Sequence, residues 1–85
     1  MFTLELTENE VSTIAFVGGR YGWSSALEGF GEGTHHLEEY QMWEIKEGIE
    51  SDMEGGHDAF PMLDYRSPVG SDLADKLLAI YDAVV

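Results

Sequence analysis

A mainly α fold, four short helices preceded by one short strand, is what this sequence predicts, and three observations carry it. Apolar residues recur at helical spacing in four separate stretches, glycine pairs close two of them, and only Phe2 to Leu6 alternates apolar and polar residues as a half-buried strand does. At 85 residues the chain has material for one core, so residues 1–85 are read as a single domain.

In the first element Phe2, Leu4 and Leu6 face one way and Thr3 and Glu5 the other. Thr7-Glu8-Asn9-Glu10 then matches a capping box, in which the threonine hydroxyl and the glutamate carboxylate satisfy helix N–H groups that lack a partner. The first helix therefore starts at Glu8. Val11, Ile14 and Ala15 form its apolar stripe, widened by Phe16 and Val17, and Gly18-Gly19 ends it. A second helix is expected over Tyr21 to Phe30, with Trp23, Ala26, Leu27 and Phe30 on one side. Glycines make 29–34 a loop. The third helix runs from about Leu37 to Met53 and is ended by Gly55-Gly56, with Met42, Ile45, Ile49 and Met53 as one narrow buried stripe.

Between Gly55 and Gly70 the helical pattern is lost, and Pro61 and Pro68 argue against a continuous helix. Phe60 to Leu63 is read as extended and is the candidate partner of the N-terminal strand. Ser71 is expected to cap the last helix, whose Leu73, Leu77, Ile80, Tyr81 and Val84 line one face, with Asp72 and Lys76 as a surface pair at i, i+4.

Charge sets this composition apart. Seventeen acidic residues stand against four lysines and arginines, a formal net charge of −13, while a hydrophobic share of 44% supplies enough apolar material to fold. Such self-repulsion destabilises the compact state and exceeds the roughly 2–8 net charges that keep a small domain in solution. A salt-rich cytoplasm or an ordinary acidic surface is one explanation, and a basic partner is the other. The absence of cysteine excludes disulfides, thiolate nucleophiles and cysteine metal sites. Met1 leads into no basic leader, and no apolar run reaches the roughly 18 residues of a membrane span, so the expected location is the cytoplasm. An anionic membrane or nucleic acid would repel this chain, which excludes both as direct partners.

The charge is concentrated. From Glu28 to Asp58 ten acids accompany Lys46 alone. On a wheel with Met42 at zero, Glu39, Glu44, Glu47, Glu50 and Glu54 fall between about 60° and 200°, on the outward half of the third helix. Trp43 near 100° and Tyr40 near 160° lie among them. An aromatic ringed by charge has the composition of a binding hot spot, and the alternative for Trp43 is burial beneath a neighbouring helix. The candidate partner-binding set is Glu39, Tyr40, Trp43, Glu44, Glu47, Glu50 and Glu54. Carboxylates at helical spacing present a field like that of phosphates, so a nucleic-acid-binding protein is the natural partner.

With its size, its lack of cysteine, the acidic stretch from Glu28 to Asp58 and the segment Phe16-Val17-Gly18-Gly19-Arg20-Tyr21-Gly22-Trp23-Ser24, the chain resembles small acidic proteins of phages and mobile elements, including anti-CRISPR and anti-restriction proteins that mimic DNA. The resemblance implies an inhibitor that occupies a nucleic-acid channel, or a PAM-reading or target-binding site, on a host defence complex such as a CRISPR-Cas effector. The other reading is a phage structural or accessory module, possible as a homodimer, anchored through Trp43, Tyr40 and Trp23.

Catalytic chemistry is weakly represented. His35 and Glu39 stand at the i, i+4 spacing of a chelate if the helix begins early, with His57-Asp58 as a third ligand, but solvent-facing histidines near a helix start account for them as well. The glycines at 18–19 and 29–33 follow no strand of a βαβ unit, and Glu32 would repel phosphate. No reaction, metal or cofactor is assigned, and the chain is read as a binding protein rather than an enzyme. Arg20 and Arg66 are expected to pair with nearby acids.

Overall fold

The computed structural model describes residues 2–56 and 59–84. Among them the order is β1 (Phe2–Leu6), α1 (Glu8–Val17), a 3-10 turn (Gly18–Arg20), α2 (Gly22–Ala26), β2 (Gly33–Leu37), α3 (Glu39–Glu54) and α4 (Pro68–Val84). The fold is mainly α, as the periodicities predict. No helix among the described residues is long and apolar enough to cross a membrane.

The capping box forms as read. Thr7 Oγ1 accepts the Glu10 N–H at 3.2 Å, and Glu10 Oε1 accepts the Thr7 N–H at 2.9 Å. Glu10 does more than cap, because it is 2% exposed and its Oε1 also receives Lys76 Nζ at 2.7 Å. The same ammonium donates to the Glu5 carbonyl at 2.7 Å. Lys76 thus ties α4 to β1 and α1 instead of pairing with Asp72, since the buried Glu10 carboxylate and the Glu5 carbonyl together hold an ammonium better than one solvated carboxylate.

The strand partner differs from the expected one. β1 pairs antiparallel with β2, Phe2 opposite Leu37 and Leu6 opposite Gly33. Residues 60–63 do not pair with it. Pro61 has no N–H to give a ladder, and Met62 turns the chain at φ 68°, so Leu63 N–H closes a turn on the Phe60 carbonyl at 3.2 Å. Phe60 and Leu63 are buried instead.

Helix ends shift for local reasons. α2 stops at Ala26 rather than Phe30, because Leu27 and Glu28 make i→i+3 bonds to Ser24 and Ser25 and Gly29 takes φ 92°. α3 starts at Glu39, two residues late, where Gln41 Oε1 accepts the Glu38 N–H at 2.8 Å. α4 starts at Pro68, three residues before the predicted cap. A proline in the first turn forfeits no helix bond, and the Ser71 N–H joins the Ser67 carbonyl at 2.9 Å.

The crossing of α2 and α3 positions everything else. Asp52 is buried, and its two oxygens accept the N–H groups of Gly22 at 2.9 Å and Trp23 at 3.0 Å. A carboxylate from α3 therefore caps the start of α2, where the N–H groups have no partner of their own. Backbones meet one turn earlier on α3: a Cβ on Gly48 would collide with the Gly22 carbonyl oxygen, and one on Gly22 with that of Gly48. This contact rotates the buried arc of α3 toward Gly48 and Asp52. Ile45 and Ile49 stay in the core, while Met53 becomes 41% exposed. Trp23, fully buried, donates its indole N–H to the Pro61 carbonyl at 3.1 Å and meets Phe60 edge-on at 6.1 Å. Phe16 points outward at 74% exposure and does not widen the α1 stripe.

Asp52→Ala leaves two helix-start N–H groups without an acceptor and should cost about 2–4 kcal/mol in urea denaturation. Gly48→Ala should cost about 1–3 kcal/mol by forcing α2 and α3 apart. Glu54→Ala, on the exposed side of the same helix, should stay within about 0.5 kcal/mol of the parent.

Candidate functional site

The site is the outward side of α3. Once Ile45, Ile49 and Asp52 are turned inward, helical geometry sends Glu39, Glu44, Glu47 and Glu54 to solvent, and all four are exposed. None of these four makes an ion pair among the described residues. Glu50 departs from the expected set. It is half-buried, paired with Lys46 at 2.8 Å, and it accepts the Tyr81 hydroxyl at 3.4 Å, so it joins α3 to α4.

Trp43 is 39% exposed and Tyr40 64% exposed, which decides between the two readings of Trp43 in favour of the surface. Lys46 Nζ stands 4.6 Å from the centre of the Trp43 ring, one helical turn away. That is a cation–π contact, and the i, i+3 spacing was legible in the sequence. The hydrogen bond to Glu50 outweighs an opposing desolvation and, with the charges of Glu50, Tyr81 and Glu47 beside it, holds the Lys46 ammonium above the ordinary lysine range.

Next to Trp43 lies an open hollow of about 440 Å³, walled by Phe2, Glu39, Met42, Trp43, Ala83 and Val84. It joins the start of β1, the first half of α3 and the end of α4. Phe2, Ala83 and Val84 were not foreseeable as neighbours of Trp43, because only the folded chain brings positions 2 and 84 beside 43. Exposed Asp72, Asp75 and Asp82 continue the negative charge onto α4, so the acidic surface is wider than one helix.

The other predicted groups serve local structure. His35 lies on β2, where its Nε2 is 2.7 Å from the Gly31 carbonyl and its ring meets Phe30 edge-on at 5.0 Å. His36 reaches Thr3 across the sheet. Because α3 starts at Glu39, His35 and Glu39 do not share a helix, and the chelating spacing is lost. No metal-holding cluster occurs among the described residues, and His57-Asp58 lies outside them. Arg66 meets the expectation of a nearby acid, pairing with Asp64 within its own exposed loop at 3.5 Å. Arg20 does not, as it makes no ion pair among the described residues.

Comparison with family models, with curated proteins and with solved structures finds no match. The site is therefore interpreted on its chemistry alone. It offers an array of free carboxylates, two surface aromatics and a partly apolar hollow with one carboxylate in its wall.

The raised Lys46 group makes the α3 surface sensitive to alkali. A lysine whose folded-state value lies above its unfolded value of 10.5 adds stability that is complete below that value and is lost as pH rises through the folded one. The melting temperature of the parent should therefore exceed that of Lys46→Met at about pH 9, and the difference should shrink by about pH 11.5.

Proposed function

We propose that this chain is an acidic inhibitor of the phage type, which binds a basic nucleic-acid-handling protein through the outward face of α3 and competes with nucleic acid there. The observation that carries the reading is the set Glu39, Glu44, Glu47 and Glu54, exposed and without ion pairs among the described residues.

Charge spacing supports it. With Glu50, which Lys46 partly neutralises, these carboxylates span about 22 Å of helix axis at 1.5 Å per residue, a mean spacing of roughly 5–6 Å. One strand of a duplex carries a phosphate every 3.4 Å or so, and both strands together one per 1.7 Å. The face approximates a single phosphate row rather than a whole duplex. Trp43 and Tyr40 add contact area that a bare phosphate row lacks, and large aromatics supply most of the energy in such interfaces. The partner in this proposal is a host defence complex such as a CRISPR-Cas effector, whose lysines and arginines grip one strand.

A purified effector loaded with its guide provides the test. Adding this chain should abolish capture of target DNA, and binding should weaken tenfold or more as salt rises from about 50 to 200 mM. Joint replacement of Glu39, Glu44, Glu47 and Glu54 by Lys should remove inhibition while leaving the circular dichroism spectrum unchanged. Binding that survives both the salt and the reversal rejects the proposal in favour of an apolar docking module.

A further inference from the structure

The hollow beside Trp43 is lined by two aromatic residues, Phe2 and Trp43, by the apolar residues Met42, Ala83 and Val84, and by the acidic residue Glu39. At about 440 Å³ it lies within the range of sites that enclose a ligand group. Glu39 makes no ion pair among the described residues. We infer that this hollow receives an arginine side chain of the protein partner, the guanidinium stacking on Trp43 and pairing with Glu39 while its methylene stem covers Met42 and Val84. The inference rests on the acidic face of α3 being the docking surface, and it supplies the point at which that surface acquires specificity.

The choice of side chain follows from what the walls would lose on being covered. A leucine or phenylalanine entering the hollow would strip water from Glu39 and return nothing, and an uncompensated buried carboxylate costs several kcal/mol in general. A lysine would neutralise Glu39, but its ammonium is strongly hydrated and has no plane to lay against an indole. Arginine answers both walls. Its planar, weakly hydrated guanidinium stacks on aromatic faces, and its fork of N–H groups matches a carboxylate.

The Trp43 ring already attracts a cation in this molecule, since Lys46 stands 4.6 Å from its centre. Lys46 is itself held by Glu50 at 2.8 Å, whereas Glu39 has no such cation among the described residues. The charge complementarity of the face is thus unfilled at the Glu39 end, where the hollow opens. An arginine is also the residue that a phosphate-gripping protein presents most readily, which connects the occupant to the class of partner proposed.

The test uses the whole protein, labelled with ¹⁵N, and three matched probes: the blocked tripeptides Gly-Arg-Gly, Gly-Lys-Gly and Gly-Leu-Gly. The arginine peptide should give saturable shifts at Phe2, Glu39, the Trp43 indole and Val84. The lysine peptide should bind about threefold or more weakly, and the leucine peptide should produce no saturation. Glu39→Gln should weaken the arginine peptide about fivefold, which is the worth of one partly exposed charged pair, while Glu54→Gln should not. Trp43→Leu, checked for folding by its spectrum, should abolish the difference between arginine and lysine.

Three outcomes overturn the inference. Equal arginine and lysine responses spread over Glu44, Glu47 and Glu54 indicate plain electrostatics and leave the acidic-face reading standing. Saturation by the leucine peptide makes the hollow an apolar socket. Absence of any response removes the site. Selective arginine binding by a chain that fails to block nucleic-acid capture would instead retain the site and reject the proposed function.

Discussion

Asp52 is the residue on which the rest of the structure depends. Its carboxylate accepts two backbone N–H groups at the start of α2, and in doing so it locks the rotation of α3 against the shortest helix of the fold. A five-residue helix has too few internal bonds to persist alone. It is held by a charge on its first turn, by the backbone contact of Gly22 with Gly48, and by Trp23 beneath it. Because Trp23 also reaches the Pro61 carbonyl, the same crossing fixes the irregular segment that leads to α4. The acidic face outside is a result of this arrangement inside, since turning Asp52 and Gly48 inward sends the remaining carboxylates outward.

Much of this was legible in the sequence, and the failures share a cause. The capping box at Thr7, the buried Ile14 and Val17 of α1, the apolar face of α4 and the stripe Met42, Ile45, Ile49 depend on neighbours within a turn or two, which spacing reports, whereas Ala15 and Phe16 of the expected α1 face are exposed. Asp52 looks like one acid among many in that region, because its value comes from two N–H groups 30 and 29 positions away. Gly48 looks like a blank in a helix, although it is the point of closest approach between two backbones. Met53 is exposed for the same reason, because the approach of α2 at Gly48 turns the buried arc of α3 away from it. The strand Gly33–Leu37 carries little β-forming character of its own and is ordered by its pairing with β1.

The candidate site divides similarly. The exposure of Glu39, Glu44, Glu47 and Glu54, with Tyr40 and Trp43 among them, followed from the wheel. Glu50 did not, because its partners are Lys46 on the same helix and Tyr81 on α4, and the second belongs to tertiary packing. The scarce cations show a division of labour. Lys76 links α4 to β1 and α1, Lys46 pairs with Glu50 along α3, and Arg66 shapes its own loop. Four lysines and arginines against seventeen acids leave the exterior predominantly negative.

The bridge made by Lys76 also bears on when the fold can be completed. It joins positions 71 and 66 residues apart, Glu5 and Glu10, and the first strand and first helix have no other lysine to serve them. As the chain leaves the ribosome at about 5–20 residues per second, α1 can form early. The cation that pairs with its buried Glu10, however, is made 66 residues later. A carboxylate without its cation resists burial, so the closed packing around Glu10 requires α4 to be in place.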